Sequence, residues 1–345
     1  MTEESYLQWL VRATPTSWWH DSADPDELKR GMANGATGAT TNPVLAYTAL
    51  RIYPQKWAAL WQSLPQDLKR EERGQALMQG VVSRVAEALL PVHARLEGKQ
   101  GYACAQVNPA GAGDREQMWL MAQRFHAWAP NIAVKLPVTA AGLDVLEDCA
   151  AEGMTVTATV SFTLPQVIWV AERYRRGRAR ALKQSRRPGQ CFAVIMIGRL
   201  DDYLRDVAKD RKAKVSEADI RQSGMAVVKR AYAIFQQRGY EAVLLVAALR
   251  GTYHMTELAG ARLIMSIHPK IQDMLLQPGL PRETGIDAPV APDVIQRLQT
   301  VPEFVRAYEP DGMSPEDFIT YGVTQRTLSQ FSESGWLPLE SWRPA

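Results

Sequence analysis

Ile132-Ala-Val-Lys-Leu-Pro137 reads as a short buried strand interrupted by a single amine, and the same form, an apolar run closing on a polar residue, recurs along the chain. Counting it, eight such runs stand out, at residues 17–22, 37–43, 101–107, 132–137, 155–162, 191–198, 242–248 and 263–269. Longer helical patterns separate them, which is the sequence form of repeated β-α units around a parallel sheet. A doubly wound sheet needs fewer strands and a glycine-rich phosphate turn, and no G-x-G-x-x-G follows the first run. Eight units ending near residue 270 match the size of a (β/α)8 TIM barrel. The expectation is an α/β chain in one domain, 1–345, with the barrel followed by an α-helical C-terminal extension over 271–345.

Helix starts are legible between the runs. Asp24-Pro25-Asp26-Glu27 offers an N-cap, a proline at N1 and an acid at N3; Ser314-Pro315-Glu316-Asp317 repeats the pattern, and Ser216-Glu-Ala-Asp219 is a third cap. Residues 44–100 should hold two or more helices, and the tail after 270 reads as helical and proline-punctuated. Hydrophobic residues make up 46% of the 345, enough for a sizeable core. The 40 basic and 37 acidic residues are interspersed, so no global field argues for nucleic acid. The arginine-rich stretch 173–187 reads as a solvated helix end, with an anionic partner as its alternative. Cys104, Cys149 and Cys191 lack metal or redox spacing and fit a reducing compartment. The start, Met1-Thr-Glu-Glu-Ser5, is acidic where a signal peptide is basic, and no apolar stretch approaches the ~20 residues of a bilayer span. A soluble, cytoplasmic protein without a membrane partner is expected. Ten tryptophans, including Trp336 and Trp342, would pack the barrel or a contact in a homo-oligomer.

In a barrel of this type chemistry gathers at the C-terminal strand ends. Taken in order, the runs place Asp21, Asn42, Gln106, Lys135, Thr159, Arg199, Arg250 and His268 there. Lys135 carries the most information, because burial disfavours the charged amine and frees a nucleophile near pH 7. Its bland alternative is a lysine whose stem is buried while its ammonium snorkels to water. Asp24 already has a task as helix cap, which leaves Asp21 as the acid without one. Asn42 before Pro43 is a turn pair by local sequence, and Arg199 and Arg250 read alone as surface ion-pair partners. His268 is either a satisfied histidine at the rim or a switchable charge for an anionic substrate group. His93, His126 and His254 have no ligand spacing and no assigned role.

Thr40-Thr41-Asn42-Pro43 followed by Val134-Lys-Leu-Pro-Val-Thr139-Ala-Ala-Gly142-Leu143 resembles the transaldolases. The likeness extends over nearly the whole chain and takes in Asp21-Ser-Ala-Asp24, residues 153–162, Ile197-Gly-Arg199 and Ala248-Leu-Arg250. It implies Lys135 as the Schiff-base residue, Asp21 as general acid/base, Asn42 as an orienter of substrate and lysine, Thr159 as a partner in proton shuttling, and Arg199 and Arg250 as phosphate holders. Thr41 belongs to the same substrate-binding motif. The imine would itself be the electron sink, so no metal and no organic cofactor are called for. The implied substrates are sugar phosphates.

Several positions depart from that pattern. Gln106 stands where the family carries a glutamate, and an amide cannot take a proton, so dehydration would lean on Asp21, Thr159 and a water held by Gln106. A glutamine there is similar to the fructose-6-phosphate aldolase branch. Thr157 replaces an asparagine and Val194 a serine that hold the dihydroxyacetone part, so a hydroxyacetone donor is a further expectation. Ala248 replaces a phosphate-binding serine, His268 a small hydroxyl residue, and Met196 an aromatic beside the pocket. The resulting reading is a Schiff-base transaldolase, with a lyase of the same fold as runner-up and a catalytically silent sugar-phosphate binder as the remaining class.

Overall fold

The computed structural model describes residues 4–344. Seven strands form one parallel sheet: β1 (Ser17–His20), β2 (Ala103–Gln106), β3 (Ile132–Pro137), β4 (Val156–Thr159), β5 (Cys191–Met196), β6 (Val243–Ala247) and β7 (Ile264–Ile267). Their order is β1-β7-β6-β5-β4-β3-β2, so the first strand pairs with the last and the sheet curls. Strands β2, β3, β4, β5 and β7 are buried along their whole length, as a parallel sheet covered by helices requires.

The run at 37–43, expected as a strand, contributes one bridged residue. Ala39 pairs with His20 on one side and Ala103 on the other, both in parallel sense. The hydrogen bonds reach further: His20 N–H donates to the Gly38 carbonyl, Thr40 N–H to His20, and Cys104 N–H to Ala39. Asn42 and Pro43 then become the N-cap and first residue of helix Pro43–Ile52, which ends the extended stretch early. Gly38 has a packing reason, because a Cβ there would sit 2.5 Å from the Trp19 indole. That indole packs edge-on to Phe192 of β5 with ring centroids 4.5 Å apart, filling the sheet interior below the strand ends.

The three sequence caps form as read. Asp24 accepts from the Asp26 and Glu27 amides, and Ser216 and Ser314 close capping boxes with Asp219 and Asp317. Helices fill the 44–100 connection and the tail, where Gly322–Phe331 runs into a π-turn at Ser332–Trp336 and then Leu337–Ser341. A Cβ on Gly335 would lie 2.6 Å from the Val44 nitrogen, so the tail sits directly on the helix that begins beside Asn42. Trp336 is buried and Trp342 packs edge-on to Trp61, so both tail tryptophans serve the chain's own packing. Among the described residues no helix is long and apolar enough to cross a membrane.

His20 is fully buried beside this core. The Gln272 side-chain nitrogen donates to the Ile267 carbonyl and lies 2.9 Å from His20 Nδ1, so Nδ1 accepts and the ring is neutral. Burial pushes its pKa down to about 4. The unfolded chain takes up that proton near pH 6.5, so the stabilisation is complete above about 6.5 and is lost as pH falls toward 4. The expected loss between pH 7 and pH 4 is about 3 kcal/mol from this residue. His20→Asn keeps an acceptor for Gln272 and should flatten that part of the pH profile in urea unfolding; an unchanged slope would remove His20 as its source.

Candidate active site

Pleating sends alternate residues of each strand to opposite faces, and one set converges on a small cavity at the C-terminal strand ends. Val194 and Met196 of β5, Leu245 and Ala247 of β6, and Ser266 of β7 line it, with Lys135 of β3 and Thr159 of β4 opposite. Asp21 follows β1, and Thr40 and Asn42 come from the bridged segment. The cavity measures about 80 Å³.

Lys135 is 6% exposed, and its amine donates to the Thr41 carbonyl at 3.0 Å. Burial pushes the amine below the usual lysine range; Cys104 and Asp21 oppose that fall, and Arg199 adds to it. One neutral acceptor suits an uncharged amine better than an ammonium, which wants three. The snorkelling alternative is excluded by this burial.

Asp21 is held by a chain of hydroxyls. Thr40 Oγ1 donates to its Oδ1 at 2.7 Å and lies 2.5 Å from Ser266 Oγ. Thr40 has one proton and gives it to the carboxylate, so Ser266 must donate to Thr40. The relay orients one carboxylate oxygen and leaves the other for the cavity. Ser266 has no distinguishing signal in the sequence, since it lies inside the apolar run two positions before the polar residue that closes it. That residue, His268, stands outside the cavity: it is exposed, and its Nδ1 accepts from the Lys270 amide as N-cap of helix Pro269–Leu275. Proline at 269 starts the helix, and the cap conformation turns the imidazole away.

The remaining candidates divide. Thr159 faces the cavity, and its buried hydroxyl has no partner among the described residues. Asn42 also lines it while its Oδ1 caps the Leu45 amide at 3.0 Å, so the structural and functional readings both hold geometrically. Gln106 and Thr157 occupy the register positions beside Lys135 on β2 and β4, and neither is among the residues that line the cavity. Among the described residues the buried Gln106 Oε1 has no partner, whereas Thr157 Oγ1 lies 3.5 Å from Cys104 Sγ. Thr41 turns its side chain to the Cys104 carbonyl, so its contribution to the site is its own carbonyl on Lys135.

A second cavity of about 330 Å³ opens outward and shares Arg199 with the first. Arg199 lies in the first turn of helix Ile197–Asp210 rather than at a strand end. Burial, with Arg250 alongside, pulls its pKa below the usual arginine range. Arg250 donates to Asp202 Oδ2 at 2.6 and 3.0 Å and to the Ala248 carbonyl at 2.9 Å. A Cβ on Gly198 would meet that carbonyl at 2.3 Å, which is why the Ile197-Gly-Arg199 turn requires glycine. His254 is fully buried: its Nδ1 accepts from the Arg250 amide at 3.2 Å, and its Nε2 faces Asp201 Oδ2 at 3.3 Å. This anchor of the Arg250 loop has no signal in the sequence, since Asp201 and His254 lie far apart in the chain. Part of the basic stretch 173–187 is occupied internally, with Arg173 on Asp144 and Glu147, Arg175 on Glu241, and Arg186 on Glu152.

A curled parallel sheet with a desolvated amine and a carboxylate facing one strand-end cavity is the arrangement of imine-forming α/β enzymes. The sequence profile of the Transaldolase/Fructose-6-phosphate aldolase family matches residues 18–334, and the chain belongs to that family. It is 27% identical over 336 residues to a protein named Transaldolase from Neisseria gonorrhoeae, covering 94% of this chain and 86% of that protein. A Transaldolase of Thiobacillus denitrificans is 24% identical over 325 residues, covering 89% of each chain. A Probable transaldolase of Dehalococcoides mccartyi is 24% identical over 261 residues, covering 75% of this chain and 89% of that one.

Proposed function

We propose that the protein is a cytoplasmic transaldolase that moves a three-carbon ketol unit between sugar phosphates, built as one domain in which residues 37–41 act as the eighth member of a closed barrel. The observation that carries the reading is the Lys135 amine, desolvated and held by the Thr41 carbonyl in the cavity that also receives Asp21. In the proposed sequence Lys135 Nζ attacks the C2 ketone of the donor, water leaves, and an iminium forms. Asp21 takes the C4 hydroxyl proton, the C3–C4 bond breaks, its electron pair neutralises the iminium to an enamine, and the shortened aldehyde departs. The enamine adds to an acceptor aldehyde, Asp21 returns the proton to the new hydroxyl, and water releases the product ketose from Lys135. Thr159 and a water at Gln106 would pass protons during dehydration, and Asn42 would orient the donor hydroxyls. Arg199 and Arg250 would hold the phosphate by their planar forks.

Carbon-13 in the first three carbons of fructose 6-phosphate should appear in a seven-carbon ketose phosphate when erythrose 4-phosphate is supplied. Release of labelled free three-carbon ketone instead, at the same rate with or without acceptor, would overturn transfer and support the second reading. That reading is a lyase of the fructose-6-phosphate aldolase type. It draws on Gln106, an amide with an unpartnered oxygen beside Lys135, and on Val194, which offers the donor's C1 end no hydrogen bond.

A further inference from the structure

We propose that the C-terminal helix Gly322–Phe331 forms a third wall of the phosphate mouth, with Arg326 and Gln330 contacting the terminal phosphate of an open-chain sugar substrate. The proposal rests on the transaldolase reading for the substrate's identity, while the anion site itself stands on geometry. Arg326 and Gln330 are one turn apart and therefore on one helix face, and both line the outer cavity with Arg199 and Arg250. Arg199 Nη1 donates to Gln330 Oε1 at 2.6 Å. A guanidinium has no acceptor, so this bond fixes the amide orientation and leaves the Gln330 NH2 as a donor, with no protein acceptor among the described residues. Its two N–H groups match phosphate oxygens. The neighbouring Ala248 has no hydroxyl to serve that purpose, which makes a donor from another element useful there.

The next residue ties this mouth to the reacting end. The Arg199 guanidinium lies 5.4 Å from the centre of the Phe331 ring, and the same ring lines the inner cavity beside Lys135 and Asp21. The π-turn that follows is anchored by Gly335 on the Pro43–Val44 backbone and by buried Trp336, so the helix face is presented from a fixed support. Two of the three cations are provisionally neutralised. Arg250 pairs with Asp202, and Arg326 with Asp206 at 2.6 Å, where both side chains are 55% exposed. Exposed pairs of this kind contribute about 0–1 kcal/mol, so a phosphate dianion offering bidentate bonds displaces them readily.

The test compares kcat/KM for fructose 6-phosphate with that for unphosphorylated fructose in Arg326→Ala, Gln330→Ala and Arg326→Lys, with melting temperature as a folding control. A parallel titration with inorganic phosphate is followed by phosphorus NMR. The phosphorylated-to-unphosphorylated ratio should fall about tenfold in each alanine variant and recover in part with lysine, and the phosphate Kd should weaken about fivefold or more. Equal losses for both sugars, or an unaltered phosphate Kd in both variants, would overturn the proposal and reduce the helix to a cover. Phosphate binding that responds in a protein giving no imine with any ketose would sink the transaldolase reading and leave the anion site standing.

Discussion

Lys135→Met should abolish the covalent adduct that borohydride leaves on the native protein with a ketose phosphate, and should lower kcat by about 10³-fold or more. The physical reason is that among the described residues no other amine reaches the inner cavity, whose walls are otherwise carboxylate, hydroxyl, amide and apolar groups, with the arginine Arg199 at its mouth. Methionine is the appropriate replacement, being unbranched, of similar length and content in an apolar wall. It also removes the cost of burying an amine, so the melting temperature should hold or rise despite the loss of the bond to the Thr41 carbonyl. Mass spectrometry of the trapped protein decides the matter: an adduct that persists on another residue in the variant would displace Lys135 from its role.

Asp21→Asn should separate imine formation from carbon–carbon cleavage. An asparagine still accepts the Thr40 hydroxyl at one oxygen, so the relay from Ser266 keeps its geometry, while the proton acceptor facing the cavity becomes an amide. The expected result is a fall in cleavage rate of about 10²- to 10⁴-fold, the usual worth of a positioned general base. Trapping on Lys135 should continue, because amine attack does not require Asp21 and Thr159 with a water at Gln106 would still carry the protons of dehydration. Cleavage within threefold of the native rate would transfer the proton work to Thr159 or to a water at Gln106. Loss of trapping alongside cleavage would mean that Asp21 acts earlier, at dehydration.

Ser266 and Thr40 explain why these two residues alone do not describe the site. A carboxylate that accepts from one hydroxyl, itself braced by a second, keeps one oxygen fixed while the other meets substrate. The anchoring of Arg250 is of the same kind, with His254 and Asp201 buried beneath the loop that carries it. In both cases the residue that does chemistry or binding is conspicuous in the sequence, and the residue that aims it is not.

What the chain's own order determined is whatever rests on neighbours within about one turn or one strand. Apolar runs between helical patterns follow from burial on both faces of a parallel sheet; the caps at Asp24 and Ser216 follow from side chains reaching amides two or three residues ahead, and that at Ser314 from Asp317 reaching back to it; an amine within an all-apolar run announces Lys135. Tertiary structure decided the rest. It reduced the 37–43 run to a bridge at Ala39, placed Ser266 in the relay and the Thr41 carbonyl on Lys135, and brought Phe331 from the far end of the chain to line the cavity. Those contacts join residues tens to hundreds of positions apart, and their geometry exists only once the curled sheet and the docked tail have excluded water and fixed each side chain among partners that local spacing cannot name.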